Sequence, residues 1–184
     1  MHVRQKQILL SGGNRMKEIA QFQKVSREEF SKDWSKTFGE EDKNKIDRIY
    51  DSIQIPERAT AGSAGYDFFA PVDIHLEPGE MTTIPTGIRA IIDDGWVLMC
   101  FPRSGLGFRF RMQLNNTVGI IDSDYSGSDN EGHIFAKITN DTHDGKVLLI
   151  ERGQGFMQGI FLEFGITSDD KTVRQRNGGF GSTT

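Results

Sequence analysis

At 184 residues and 20.7 kDa the chain has room for one ordinary domain with a small appendage, and two large domains are excluded. Its 36% hydrophobic and 26% charged residues, with 13 Phe, are enough to build a core, which excludes wholesale disorder. A formal net charge of −4 and a pI near 5.6 argue against a general nucleic-acid binder, which carries a basic face, and no apolar run approaches the roughly 18 residues of a membrane span.

Residues 1–15 lack periodicity, and Met16 is a candidate start that would make them a leader or an extended terminus. A first strand is expected around Ile19–Val25. From Ser26 the pattern turns helical: Ser26 and Glu29 fit a capping box, Phe30, Trp34 and Phe38 recur on one face, and Gly39 is a stop. Ile46, Ile49, Tyr50 and Ile53 mark a second helix that ends before Pro56. The pair reads as a helical hairpin closing a unit at 16–54, whose apolar faces dock on the remainder.

Composition breaks near Ala61. Of 21 Gly, only Gly12, Gly13 and Gly39 precede it, and 12 Lys and Arg against 10 Asp and Glu give way to 10 against 16. Short β-rich runs then alternate with turn signals: Met81–Ile92 after Pro78-Gly79, Trp96–Phe101 after Asp94-Gly95, His133–Thr139, Lys146–Ile150 after Asp144-Gly145, and Phe156–Phe164. This spacing predicts an all-β barrel or jelly roll, and no strand–helix–strand alternation supports a parallel nucleotide-binding sheet.

Five Gly-punctuated polar segments sit between those strands. In Pro102-Arg103-Ser104-Gly105-Leu106-Gly107 the glycines allow close backbone approach, Ser104 offers a hydroxyl, and Arg103 brings a planar cation suited to phosphate oxygens, although a hairpin turn with a surface Arg has the same look. In Gly119-Ile-Ile-Asp122-Ser-Asp124-Tyr125-Ser-Gly127 a strand would send both carboxylates to one face, where a water or cation can be held; a solvated acidic turn is the alternative. Ala64-Gly65-Tyr66-Asp67 and Gly153-Gln-Gly155-Phe-Met-Gln158 are ordinary by themselves. The last segment, Arg176-Asn-Gly178-Gly179-Phe180-Gly181-Ser182-Thr183, reads as a frayed terminus or as a tail able to order over a bound nucleotide.

In this order and at these spacings the five segments resemble those of the homotrimeric deoxyuridine triphosphatases (dUTPases), from about Ile55 to Thr184. The resemblance implies an all-β, jelly-roll-like barrel over 55–175 and hydrolysis of dUTP to dUMP and pyrophosphate by water attack at the α-phosphorus, with Asp122 as the base that activates the water. Arg103, Ser104, Gly105 and Gln158 would then contact phosphate, with Arg103 alternatively bracing neighbouring loops. Asn116 and Gly119 would meet uracil, and Tyr125 would pack on deoxyribose and leave no room for a 2′-hydroxyl. Phe180, Gly181 and Ser182 would belong to a lid, residues 176–184, closing over a neighbouring subunit's site. Where the family pattern places an arginine, Gln175 stands between Arg174 and Arg176, and Arg176 is the favoured phosphate contact. Magnesium carried in by the triphosphate is the expected cation, with Asp67 structural or reaching it through water and no direct protein ligand.

His2, His75, His133 and His143 show no ligand spacing with one another or with Cys100, which argues against a protein-built zinc site. The single Cys100 excludes an intrachain disulfide, and no signal-peptide pattern opens the chain, so a reducing, cytoplasmic setting is expected. Two rival readings remain. A dCTP deaminase needs a glutamate on the strand after the third segment, where Phe135-Ala-Lys-Ile138 has none. A nucleotide-sensing regulator would use the helices at Ser26–Ile53 to bind a partner. Ser128–Gly132 looks like an insertion relative to the shortest family members.

Overall fold

The computed structural model describes residues 17–173. The expected first strand forms as β1 (Ala20–Lys24), followed by helices α1 (Arg27–Phe38) and α2 (Lys43–Ser52). Helix α1 starts where the Ser26 side chain accepts the Glu29 N–H at 3.1 Å, and it stops at Gly39, whose left-handed φ of 66° lets its N–H reach the Ser35 carbonyl. The capping box is only half local. Glu29 turns to Lys32, and the Ser26 N–H donates at 2.7 Å to Glu131, from the far side of the sequence. Asp42 caps α2 through the Asn44 and Lys45 N–H groups.

Eleven more strands follow: β2 (Glu57–Arg58), β3 (Tyr66–Phe69), β4 (Ile74–Leu76), β5 (Met81–Pro85), β6 (Ile88–Ile92), β7 (Trp96–Pro102), β8 (Met112–Leu114), β9 (Gly119–Ile121), β10 (Phe135–Asn140), β11 (Leu148–Ile150) and β12 (Gly155–Glu163). They pair into small sheets ordered β1-β6, β5-β10-β8, β11-β4 and β2-β3-β12-β7-β9, all antiparallel. The mostly-strand architecture is the jelly-roll-like fold expected. Two departures are local. The single run expected over Met81–Ile92 is two strands in different sheets, because Gly87 takes φ 73° and a Cβ there would lie 2.3 Å from Ile53 of the helical hairpin. A short helix, α3 (Ser104–Phe110), stands where only a Gly-rich turn was expected.

Strand β1 pairs with β6 along its whole length, and Phe30, Trp34, Ile46 and Ile49 belong to the same buried cluster as barrel residues Ile84, Ile88 and Ile134. The helical hairpin is thus packed into the barrel's core rather than appended beside it. Phe30 is fully buried and stacks near Trp34, Tyr50 and His133. Phe30→Ala is expected to destabilise the fold by about 3–5 kcal/mol, the cost of an aromatic-sized cavity, which urea unfolding would read as a lower midpoint at unchanged slope.

Candidate active site

Three of the five segments meet at one end of the largest sheet. In register, Gln158 of β12 lies between Asp67 of β3 and Phe101 of β7, and Met157 pairs with Pro102. The half-buried Gln158 donates its side-chain amide to the Pro102 carbonyl at 3.3 Å, and its Oε1 would lie 2.7 Å from a Cβ at position 65, so a side chain at Gly65 would push the Gln158 amide aside. Arg103 reaches Asp67 through Nε at 3.2 Å and the Gly155 carbonyl through Nη1 at 3.3 Å. A Cβ at Gly155 would lie 2.7 Å from that Nη1. Arg103 therefore braces the first, second and fourth segments against one another, the alternative its sequence left open, while its side chain remains 41% exposed.

Ser104 and Gly105 open α3 and are exposed. The first N–H groups of a helix have no intrahelical acceptor, so this turn presents donors together with the Ser104 hydroxyl. At Gly105 and Gly107 a Cβ would meet nothing within 4 Å among the described residues, and neither has a left-handed φ. Neither the backbone nor the packing of the described residues demands glycine there, and the open space leaves room for a close backbone approach.

The third segment differs from the strand geometry expected. β9 ends at Ile121, and Ser123–Gly127 is a turn of 3-10 helix with Asp122 at its N-cap, the Asp122 carbonyl accepting the Tyr125 N–H at 3.1 Å. Asp122 keeps an extended backbone just before the turn while Asp124 lies within it, so the two carboxylates are not carried on one continuous strand. Asp122 is half-buried and Asp124 exposed. Tyr125 is 4% exposed, its hydroxyl donating to the His133 carbonyl at 2.8 Å and accepting from Asn130 at 3.0 Å. Its ring is set as a wall of the turn rather than as a free surface. Asn116, Gly119 and Ile120 border a small recess with Leu114, Phe135 and Met157. A Cβ at Gly119 would lie 3.1 Å from that of Cys100, so β9 needs glycine there to pack on β7.

The register separates these two clusters within one chain. Ile121 pairs with Leu98, so Asp122 lies at the Val97 end of β7, whereas Arg103 and Ser104 follow Pro102 at the other end. At ~3.3 Å per residue they are separated by roughly 20 Å of strand. Arg174, Arg176, Phe180, Gly181 and Ser182 lie outside the described residues. Burial pushes the Cys100 thiol up to about 12, consistent with a packed strand residue and not a nucleophile. Among the described residues no group of three His, Cys, Asp or Glu is placed to hold a metal ion.

A sequence model of the dUTPase family matches residues 51–184. The deoxyuridine 5'-triphosphate nucleotidohydrolase of Lactococcus lactis is 42% identical over 134 residues, 71% of this chain and 88% of that protein. The enzyme of the same name from Sodalis glossinidius is 38% identical over 142 residues, covering 73% and 89%. Among solved structures, the Streptococcus mutans dUTPase superposes with a TM-score of 0.55 at 36% identity, over 64% of this chain and 90% of that one. The fold and the ordered segments thus define a hydrolase of nucleoside triphosphates built on a jelly-roll-like barrel. The chain belongs to the dUTPase family.

Proposed function

We propose that this enzyme, which hydrolyses dUTP to dUMP and pyrophosphate, does so in sites shared between copies of the chain, assembled as a homotrimer. The observation that carries this reading is the separation along β7. A general base and the donors that stabilise charge must reach the same α-phosphate within hydrogen-bond distance, and roughly 20 Å of strand lies between Asp122 and Ser104 in one copy. A neighbouring copy brings its Asp122 to this copy's Arg103–Gly107 turn. The family resemblance supports three copies.

In the assembled site the Asp122 carboxylate takes a proton from a water as its oxygen attacks the α-phosphorus. The bond from the α-phosphorus to the bridging oxygen breaks, and pyrophosphate leaves with that oxygen; no covalent enzyme intermediate forms. Ser104, the N–H groups at Gly105, and Gln158 take the phosphate oxygens, and Arg103 holds the turn while offering its exposed guanidinium edge. The recess at Asn116 and Gly119 takes uracil, because an amide can both donate and accept along one base edge. The tail residues Arg176, Phe180, Gly181 and Ser182 close over base and phosphates. Magnesium supplies positive charge that offsets the triphosphate's own. Such a cation would be held by phosphate oxygens and water, with Asp67, paired with Arg103, able to reach it through water.

The test is to offer each deoxynucleoside triphosphate, and UTP, with magnesium and to identify the products. dUMP and pyrophosphate from dUTP are expected at least ~10²-fold faster than turnover of the others. Release of ammonia from dCTP would favour the deaminase reading instead. Asn116→Ala is expected to cost roughly 1–3 kcal/mol of dUTP binding, about fivefold to 150-fold in KM, by leaving base-edge groups unpaired; an unchanged KM would move the uracil site elsewhere.

A further inference from the structure

One polar network, used by no step above, ties the helical hairpin to the Asp122–Tyr125 turn. His133 is fully buried. Its Nε2 accepts the Gly87 N–H at 2.8 Å, so Nδ1 carries the hydrogen and donates to Asp33 of α1 at 2.6 Å. The backbone carbonyl of the same His133 receives the Tyr125 hydroxyl. The insertion Ser128–Gly132 closes the circuit. Asn130 donates to the Tyr125 hydroxyl, and the Ser128 hydroxyl lies 2.6 Å from the Tyr125 carbonyl. Glu131 receives the N–H of Ser26, the N-cap of α1. Gly132, at φ 74°, sits so close that a Cβ would lie 2.6 Å from Ser126 Cα. Arg89 of β6 holds the Ser126 carbonyl at 3.0 Å.

Most of these contacts run from α1, or from the loop α1 grips, to a single turn, with Gly87 and Arg89 adding support from the bend before β6 and from β6 itself. We propose that the helical hairpin is a positioning device for that turn, acting through Asp33–His133 and Ser26–Glu131 to hold Tyr125 forward and so to enforce discrimination between deoxyribose and ribose. Asp33, His133 and Glu131 are positioning residues; none is required to touch substrate. The inference rests on the family resemblance by which Tyr125 packs on deoxyribose. Release of the latch lets the turn relax away from the sugar, which opens space for a 2′-hydroxyl without removing any substrate contact.

The experiment compares kcat/KM for dUTP and UTP, with melting temperatures, in the wild type, Asp33→Ala, Asp33→Asn, Glu131→Ala, Tyr125→Ala and Arg27→Ala. Arg27 pairs with Asp47 and Asp51 on the exposed side of the hairpin and serves as the control. Asp33→Ala is expected to lower the dUTP:UTP ratio by about tenfold below its melting range, while Asp33→Asn, whose amide oxygen still accepts the Nδ1 hydrogen, retains most of it. Glu131→Ala, at a partly exposed latch, is expected to lower the ratio several-fold and carries the test should Asp33→Ala fail to fold. Arg27→Ala should leave the ratio unchanged. If Asp33→Ala and Glu131→Ala lower only the melting temperature and leave the ratio within twofold, the hairpin is a stabilising element and the proposal is overturned. If Tyr125→Ala itself leaves the ratio unchanged, the sugar-wall reading fails first and the proposal falls with it.

Discussion

Asp122→Asn is expected to lower kcat for dUTP by at least ~10²–10⁴-fold while leaving nucleotide binding largely intact. The substitution keeps the size of the side chain and one accepting oxygen, while it removes the negative charge and the ability to take a proton. Asp122 is held at the N-cap of the 3-10 turn through its backbone carbonyl, so the turn's own hydrogen bond to Tyr125 survives the change. A direct binding measurement with a non-hydrolysable dUTP analogue separates the two effects. Near-wild-type turnover would remove Asp122 from the role of base, and lost binding with it would make Asp122 a contact residue.

The sequence made the barrel legible because its strands carry their own punctuation: Gly79 and Gly95, read as turn residues, both adopt φ 84°. It made the helical hairpin legible through Phe30, Trp34, Ile46 and Ile49, whose helical spacing matches their burial. Helix α3 was not legible, because two glycines in seven residues oppose helix propensity. Burial of Leu106 is what the tertiary structure adds, and Arg111 at a left-handed φ of 49° ends the helix. Between the strand and the acidic turn open to Asp122-Ser-Asp124, the structure takes the turn for a related reason. Asp122-Ser-Asp124 has the alternation of a strand, and only the bonding of Tyr125 and Ser128 back along the turn reveals 3-10 winding. The latch at His133 left no local trace at all: Asp33 lies a hundred residues away, and a histidine is equally at home as a packed residue. Its one signal was negative, a histidine with no ligand spacing. Glu131 likewise replaces Glu29 as acceptor of the Ser26 N–H, a substitution across the fold that no capping rule contains.

The separation of Asp122 from Ser104 was hidden for a different reason. Both segments look like parts of one site when read along the chain, and only the antiparallel register of β7 with β9 puts them at opposite ends of a strand. Complementation between two damaged chains tests the shared site most directly. Ser104→Ala should lower activity by ~10² or more through loss of a donor to the phosphates, and Asp122→Asn by a comparable or larger factor. In a trimer whose every site takes its phosphate turn from one copy and its carboxylate from the next, any mixture of the two chains contains one site in three with both groups intact. Equal amounts, unfolded together and refolded, should therefore recover about a quarter of wild-type activity, since three trimers in four are mixed. Native mass measurement of the same sample reports how many trimers hold both chains. Recovery near a quarter is the result the account predicts; mixed trimers that remain as inactive as their parents would contradict it and return each site to a single chain.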